Sequence, residues 1–367
     1  MEQHPHARAV LLPALPPAGA PSHAYLFYGP AGTGKRTVAR SFAAALLADG
    51  ARQPATVAER VARGAHPDLT WVTPSGSSEV LVSDIDEPVV AAVTHTPFES
   101  TRRVFVIEAA GTMNDQAANR LLKTLEEPPS FAHLILLAEH REDVLPTIAS
   151  RCQQVRFDPL SSELLQQRLS GHAGEAIDPT RAAACARLAA GDARLAERLA
   201  SEPGVALREW AEGFVRSTLH ARTDERRWAG LLETAKAAGA EAGAAATERL
   251  HEQAELLPSK ERRKYEREGV DVVRRAERRA RTATLDLGLR LVELWLRDAW
   301  CLAAGAPELV FALDRSAELA ADAEGRDADS LLRGVELVRD TRLRLPLNIS
   351  EELALEALAY RLADLLS

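Results

Sequence analysis

Across 367 residues, 46% hydrophobic and 27% charged, the chain has the composition of an ordinary soluble protein with material for two or three domain cores. Its formal net charge of −8 excludes a polyanion binder acting through its whole surface, while leaving local basic surfaces open. The three cysteines, Cys152, Cys185 and Cys301, lie far apart without any C-x-x-C spacing, so a reducing cytoplasm is expected and a zinc site is not.

The first 21 residues are broken by prolines and lack the long apolar core of a signal peptide. No stretch reaches the roughly 18 apolar residues needed to cross a membrane, so a cytoplasmic protein with no membrane partner is expected. In chain order, short apolar runs predict strands at Tyr25–Tyr28, Leu69–Val72, Val104–Ile107, Leu134–Leu137 and Val155–Phe157. Helical patterns separate them. Val38, Phe42, Ala45 and Leu46 fall at helical spacing after Lys35, and AANRLLKTLEE places Leu121, Leu122 and Leu125 on one face before Pro128-Pro129 stops it. The alternation predicts βαβ units with a mostly parallel sheet over residues 1–158. From Asp158 the chain turns Ala- and Arg-rich and helical, with one section over 159–203 and another over 204–367. In the last section Leu285, Leu287, Leu289, Leu291, Leu294 and Leu296 supply the apolar pattern. Lys260 to Arg281 holds ten basic and five acidic residues; a solvated helix face is the simpler expectation, a DNA- or partner-facing patch the other. No tandem repeat is present.

Chemistry concentrates at Gly29 to Thr37, GPAGTGKRT. Gly29, Gly32, Gly34 and Lys35 match G-x-x-x-x-G-K, whose backbone N–H groups and following helix cradle phosphates while the lysine reaches the β and γ positions. The pattern next requires a hydroxyl for magnesium. Arg36 stands there instead, and its charge competes with the ion. Thr37 lies about 100° further round the helix. The strand at 104–107 ends in Glu108-Ala109, where a hydrolase needs one carboxylate for metal and another to polarise water. Glu108 offers the first with a longer arm than Asp, and Ala109 offers nothing. Hydrolysis by this chain is not expected; ATP binding without turnover is left open and no cofactor is required.

These residues resemble the bacterial clamp-loader subunits of DNA polymerase III, members of the AAA+ family. His23-Ala-Tyr-Leu-Phe27 with its glycine loop looks like their opening, and Met113 to Pro129 matches their AANxLLKxLEEPP segment. Leu145 to Cys152 contains their SRC motif. Gly191-Asp-Ala-Arg194 is similar to the helix carrying their sensor arginine, and LNISEELALEALAYRL to the last helix of delta-prime members. The resemblance implies an AAA+ P-loop domain over 1–158, a helical lid over 159–203 and an all-α collar over 204–367. It implies assembly in a five-membered ring with tau/gamma and delta subunits, acting on the sliding clamp and primed DNA. Arg151 would be an arginine finger reaching a neighbour's ATP, and Arg194 a nucleotide contact from the lid. Intact loops and acidic pairs belong to the tau/gamma branch, so Arg36 and Ala109 favour the delta-prime branch. Glu139-His140 stand where a Thr or Asn sensor is usual. The four-cysteine zinc module of many relatives is replaced by LADGARQPATVAERVARGAHPDL, read as a helical stub without metal. An active tau/gamma-type ATPase and an unrelated P-loop nucleotide-binding protein are the alternatives. The first is opposed by Arg36 and Ala109, and the second leaves the SRC and LEEPP matches unexplained.

Overall fold

The computed structural model describes all residues except 1–2, 17–18, 75–78, 172–176, 222–225, 256–258, 346–349 and 367. It separates into two compact units, Met1–Leu165 with Ala190–Arg194, and Gln166–Ala189 with Leu195–Ser367.

In the first unit the elements follow as α1 (Pro5–Leu11), β1 (Ala24–Tyr28), α2 (Lys35–Leu47), α3 (Pro54–Ala62), β2 (Leu69–Val72), α4 (Val82–Ile85), β3 (Arg103–Ile107), α5 (Asp115–Glu126), β4 (Ala132–Ala138), α6 (Pro146–Ala149) and β5 (Gln153–Arg156). The five strands form one parallel sheet in the order β2-β3-β4-β1-β5. All five predicted strands are present; the last starts two residues earlier and stops one residue sooner than the apolar run. Alternate strand residues feed two cores. Tyr25, Phe27, Val104, Val106, Ile135 and Leu137 pack beneath Phe42 and Leu46 of α2. Leu26, Phe105, Ile107, Leu134 and Leu136 pack against Leu121 and Leu125 of α5. Both faces are covered, which is why these strands read as unbroken apolar runs instead of alternating ones. Helix α5 begins where Asn114 Oδ1 accepts a hydrogen bond from the Ala117 N–H at 2.9 Å, and it ends ahead of Pro128-Pro129. Helix α3 occupies the segment that lacks the zinc module's cysteines.

The second unit is helical throughout its described residues. The helices after β5 are α7 (Ser162–Ser170), α8 (Pro179–Leu188), α9 (Ala193–Ala200), α10 (Glu202–Leu219), α11 (Trp228–Glu255), α12 (Ser259–Ala303), α13 (Ser316–Ala323), α14 (Ala328–Arg344) and α15 (Glu351–Leu366). Glu202-Pro203-Gly204 forms the first turn of α10, where proline costs nothing because its missing N–H would have no helical partner. Of the six leucines between 285 and 296, all but Leu294 are buried. The segment similar to a last helix gives α15; residues 347–349 at its start lie outside the described residues. Buried charges in this unit are paired. Arg208 clamps Asp314 with two hydrogen bonds of 2.7 and 2.9 Å, and Asp298 accepts from the Phe311 and Ala312 N–H groups.

Candidate functional site

The glycine loop lies between β1 and α2, at the carboxyl end of the sheet, where β1 is flanked by β4 and β5. The Gly29 N–H donates to the Glu139 carbonyl just past β4, tying the loop to the sheet. Gly32 has φ +68 and no room for a side chain: a methyl there would fall 1.7 Å from Asp192 Oδ1. The Asp192 carboxylate thus lies against the loop, and the Ala193 N–H donates to the Gly32 carbonyl at 3.3 Å.

Every cationic group of the loop meets a partner from the chain itself. Lys35 Nζ donates to the Gly29 carbonyl and, at 2.7 Å, to the Pro30 carbonyl. Burial pushes its pKa down to about 8, with Arg36 adding to that effect and Glu139 and Asp192 opposing it. Arg36 Nη2 donates to Glu108 Oε2 at the end of β3. The other Glu108 oxygen accepts from the Trp71 indole N–H at 2.8 Å. Trp71 itself lies under the Arg40 guanidinium, 4.6 Å from its centroid and one helical turn past Arg36. Glu108 is 8% exposed, so both of its oxygens are committed in a site largely shielded from water. Behind the loop, His4 Nε2 donates to the Thr33 carbonyl at 2.7 Å, its ring 4.9 Å from that of Phe157.

These contacts do not fit a magnesium ion. The carboxylate that should ligate it is neutralised by a guanidinium, and no hydroxyl follows Lys35. Thr37 is exposed on α2, and its side chain has no hydrogen-bond partner among the described residues. Ala109 adopts φ 53 and ψ 40, a left-handed conformation that costs an alanine about 1 kcal/mol, and it opens a turn at residues 110–112.

The sequence-predicted loop residues Gly29, Gly32, Gly34, Lys35, Arg36 and Glu108 therefore come together, and Thr37 does not join them. Arg194 is exposed in the first turn of α9, while its neighbour Asp192 makes the contact with the loop. The Gly-Asp-Ala-Arg segment was visible in the sequence; which of its residues would touch the loop was not. Trp71 is placed by strand register, since β2 and β3 pair Trp71 with Val106 and Val72 with Ile107. Nothing in the proline-broken N-terminus signalled His4. Arg151 stands apart from the loop contacts. It follows α6, donates to the Thr147 carbonyl at 2.9 Å and to Glu126 Oε1 at 2.6 Å, and precedes Cys152, whose thiol burial pushes up to about 12.

A parallel five-stranded sheet with a glycine loop after β1, an acidic end to β3 and Asp192 laid against the loop defines a P-loop α/β domain. Residues 12–161 match the family described as DNA polymerase III, delta subunit. Two relatives of that name type are DNA polymerase III subunit delta' of Pseudomonas aeruginosa, 38% identical over 167 residues, and of Bacillus subtilis, 36% identical over 154. The first alignment covers 43% of this chain and 51% of the relative, the second 40% and 46%. DNA polymerase III subunit tau of Bacillus subtilis is 32% identical over 155 residues, covering 41% of this chain and 27% of that one. The chain thus spans about half the length, or less, of the curated relatives it matches. Over the matched residues the chain is similar to these DNA polymerase III subunits.

Proposed function

We propose that the chain is a non-hydrolysing, delta-prime-type clamp-loader subunit. It contributes a rigid AAA+ body and a collar to a ring with tau/gamma and delta subunits, and that ring places the sliding clamp on primed DNA. The observation that carries this reading is the Arg36–Glu108 pair, in which a side chain of α2 neutralises the carboxylate that a hydrolase reserves for metal. An active tau/gamma-type subunit would require Glu108 to exchange Arg36 for a cation, with no hydroxyl and no second carboxylate to help. Segments 159–203 and 204–367 take the lid and collar roles in this reading.

The chain's chemical contribution is then made at a neighbour's site. Arg151 is half-buried after α6, its side chain 37% exposed, and its planar, permanently charged fork is suited to bridging oxygens of a transferring γ-phosphoryl group. Fingers of this kind are worth about 10³–10⁵ in rate in well-studied phosphoryl transfers. The test is reconstitution with the other loader subunits. Arg151→Ala folds and assembles but lowers DNA-stimulated ATP turnover, and the isolated wild-type chain shows no turnover that Lys35→Ala removes. Unchanged loader turnover with Arg151→Ala rejects the finger; Lys35-dependent hydrolysis by the isolated chain rejects the non-hydrolysing assignment.

A further inference from the structure

Helix α12 is 45 residues long, and between 262 and 281 it carries eight arginines against a single lysine. Two of its described acidic groups there are drawn toward α11. A methyl on Gly243 of α11 would come 2.4 Å from Glu277 Oε1, so the Glu277 side chain lies across that glycine. Glu266 Oε1 is 3.7 Å from His251 Nδ1 of α11. Asp271 is the described exception: it stays exposed, about 40° round the helix from Arg267, without an ion pair, among the described residues, to the arginines beside it.

The arginines occupy the neighbouring arc of the helix. At about 100° per residue, Arg267, Arg274, Arg278 and Arg281 fall within an arc of about 60°, spread over roughly 21 Å of helix axis. All four are exposed. Arg281 pairs with Glu351 of α15. Among the described residues no carboxylate lies within ion-pair distance of Arg267, Arg274 or Arg278. Like charges at i,i+4, as Arg274 and Arg278 are, weaken a helix, so this row does nothing for the fold it sits on. The guanidinium fork matches phosphate oxygens two at a time, and the arc contains no aromatic side chain on which a base could stack.

We propose that this arginine row is a DNA contact that holds the phosphate backbone of a duplex without reading its bases. Choosing DNA over an acidic protein surface rests on the loader reading above. The helical hairpin of α11 and α12 would then give the collar its own grip on duplex, separate from the glycine-loop domain.

The test titrates the full chain with a short labelled duplex by fluorescence anisotropy at several salt concentrations. The comparison is a triple Arg267→Gln, Arg274→Gln, Arg278→Gln variant, with its helical circular dichroism checked against wild type. Each lost phosphate contact removes about 0.9 from the slope of log affinity against log salt, so the variant's slope is shallower by about 2.7 and its affinity about ten- to a hundredfold lower. Removing the same kind of charge from α11, with Lys236→Gln and Arg249→Gln, leaves the slope unchanged. Equal slopes for wild type and triple variant overturn the proposal, as does a wild type that fails to bind duplex at low salt. If the triple variant binds duplex normally but no longer assembles with other loader subunits, the row is a protein interface and the proposal falls. Duplex binding is read on the isolated chain, so failure of the loader reading shows separately, in turnover and assembly.

Discussion

Arg36 and Arg151 each meet a glutamate in the first unit, and the two pairs are built to behave differently. Glu108 is 8% exposed and has each oxygen engaged by a different donor, Arg36 and the Trp71 indole. Glu126, at the last turn of α5, is 50% exposed where it meets Arg151. A shielded carboxylate that loses a donor is left with charge no solvent can answer, so Glu108 holds Arg36 in place. An exposed pair exchanges its partner for water at little cost. The first arginine is thereby spent inside the chain, and the second stays available to something outside it.

The largest effect that would break this contrast is on stability. Glu108→Ala leaves the Trp71 N–H without its acceptor and Arg36 without its partner, and the expected loss is about 1–3 kcal/mol by urea unfolding. The outer end of Arg36 is solvated, which keeps the figure below that of a fully buried pair. A loss under about 0.5 kcal/mol would mean that Glu108 is free to serve a metal after all. Next in size is an attempt to rebuild the site. Arg36→Thr with Ala109→Glu restores a hydroxyl and a second carboxylate, and magnesium should then tighten ATP binding by about tenfold, or roughly 1.4 kcal/mol. Calorimetry of the wild-type chain should show no magnesium dependence at all. A double variant equally indifferent to magnesium would place the defect elsewhere, with Asp192 against Gly32 the first suspect.

Much of this was legible beforehand because the relevant signals are local. Buried parallel strands read as apolar runs, a glycine loop before a helix reads as a phosphate nest, and Pro128-Pro129 marks the end of α5. Arg36 and Ala109 also announced a departure at their own positions. That they form one arrangement was not legible. Arg36 and Glu108 are 72 residues apart, and their contact depends on how far α2 turns over β3. Trp71 reaches Glu108 through strand register, and His4 reaches Thr33 across 29 residues with no pattern to mark it. Ala109's left-handed backbone was hidden for another reason, since an alanine carries no mark of such a conformation as a glycine would. On α12 only a charge count could be read beforehand; the turning of Glu266 and Glu277 toward α11 leaves Asp271 as the described carboxylate beside the arginine row.

The smallest expected effect is the sharpest test of the exchangeable pair. Glu126→Ala removes the carboxylate that holds Arg151 while leaving its bond to the Thr147 carbonyl. The cost should stay below about 1 kcal/mol and shrink further as salt rises, as for an exposed ion pair. In the reconstituted loader this variant should keep its DNA-stimulated turnover, because a finger that works on a neighbour's phosphate must leave Glu126 to do so. If Glu126→Ala instead costs more than about 2 kcal/mol, the pair is part of the fold. Arg151 would then be fixed to its own chain as firmly as Arg36, and its role in a neighbouring site would have to be abandoned.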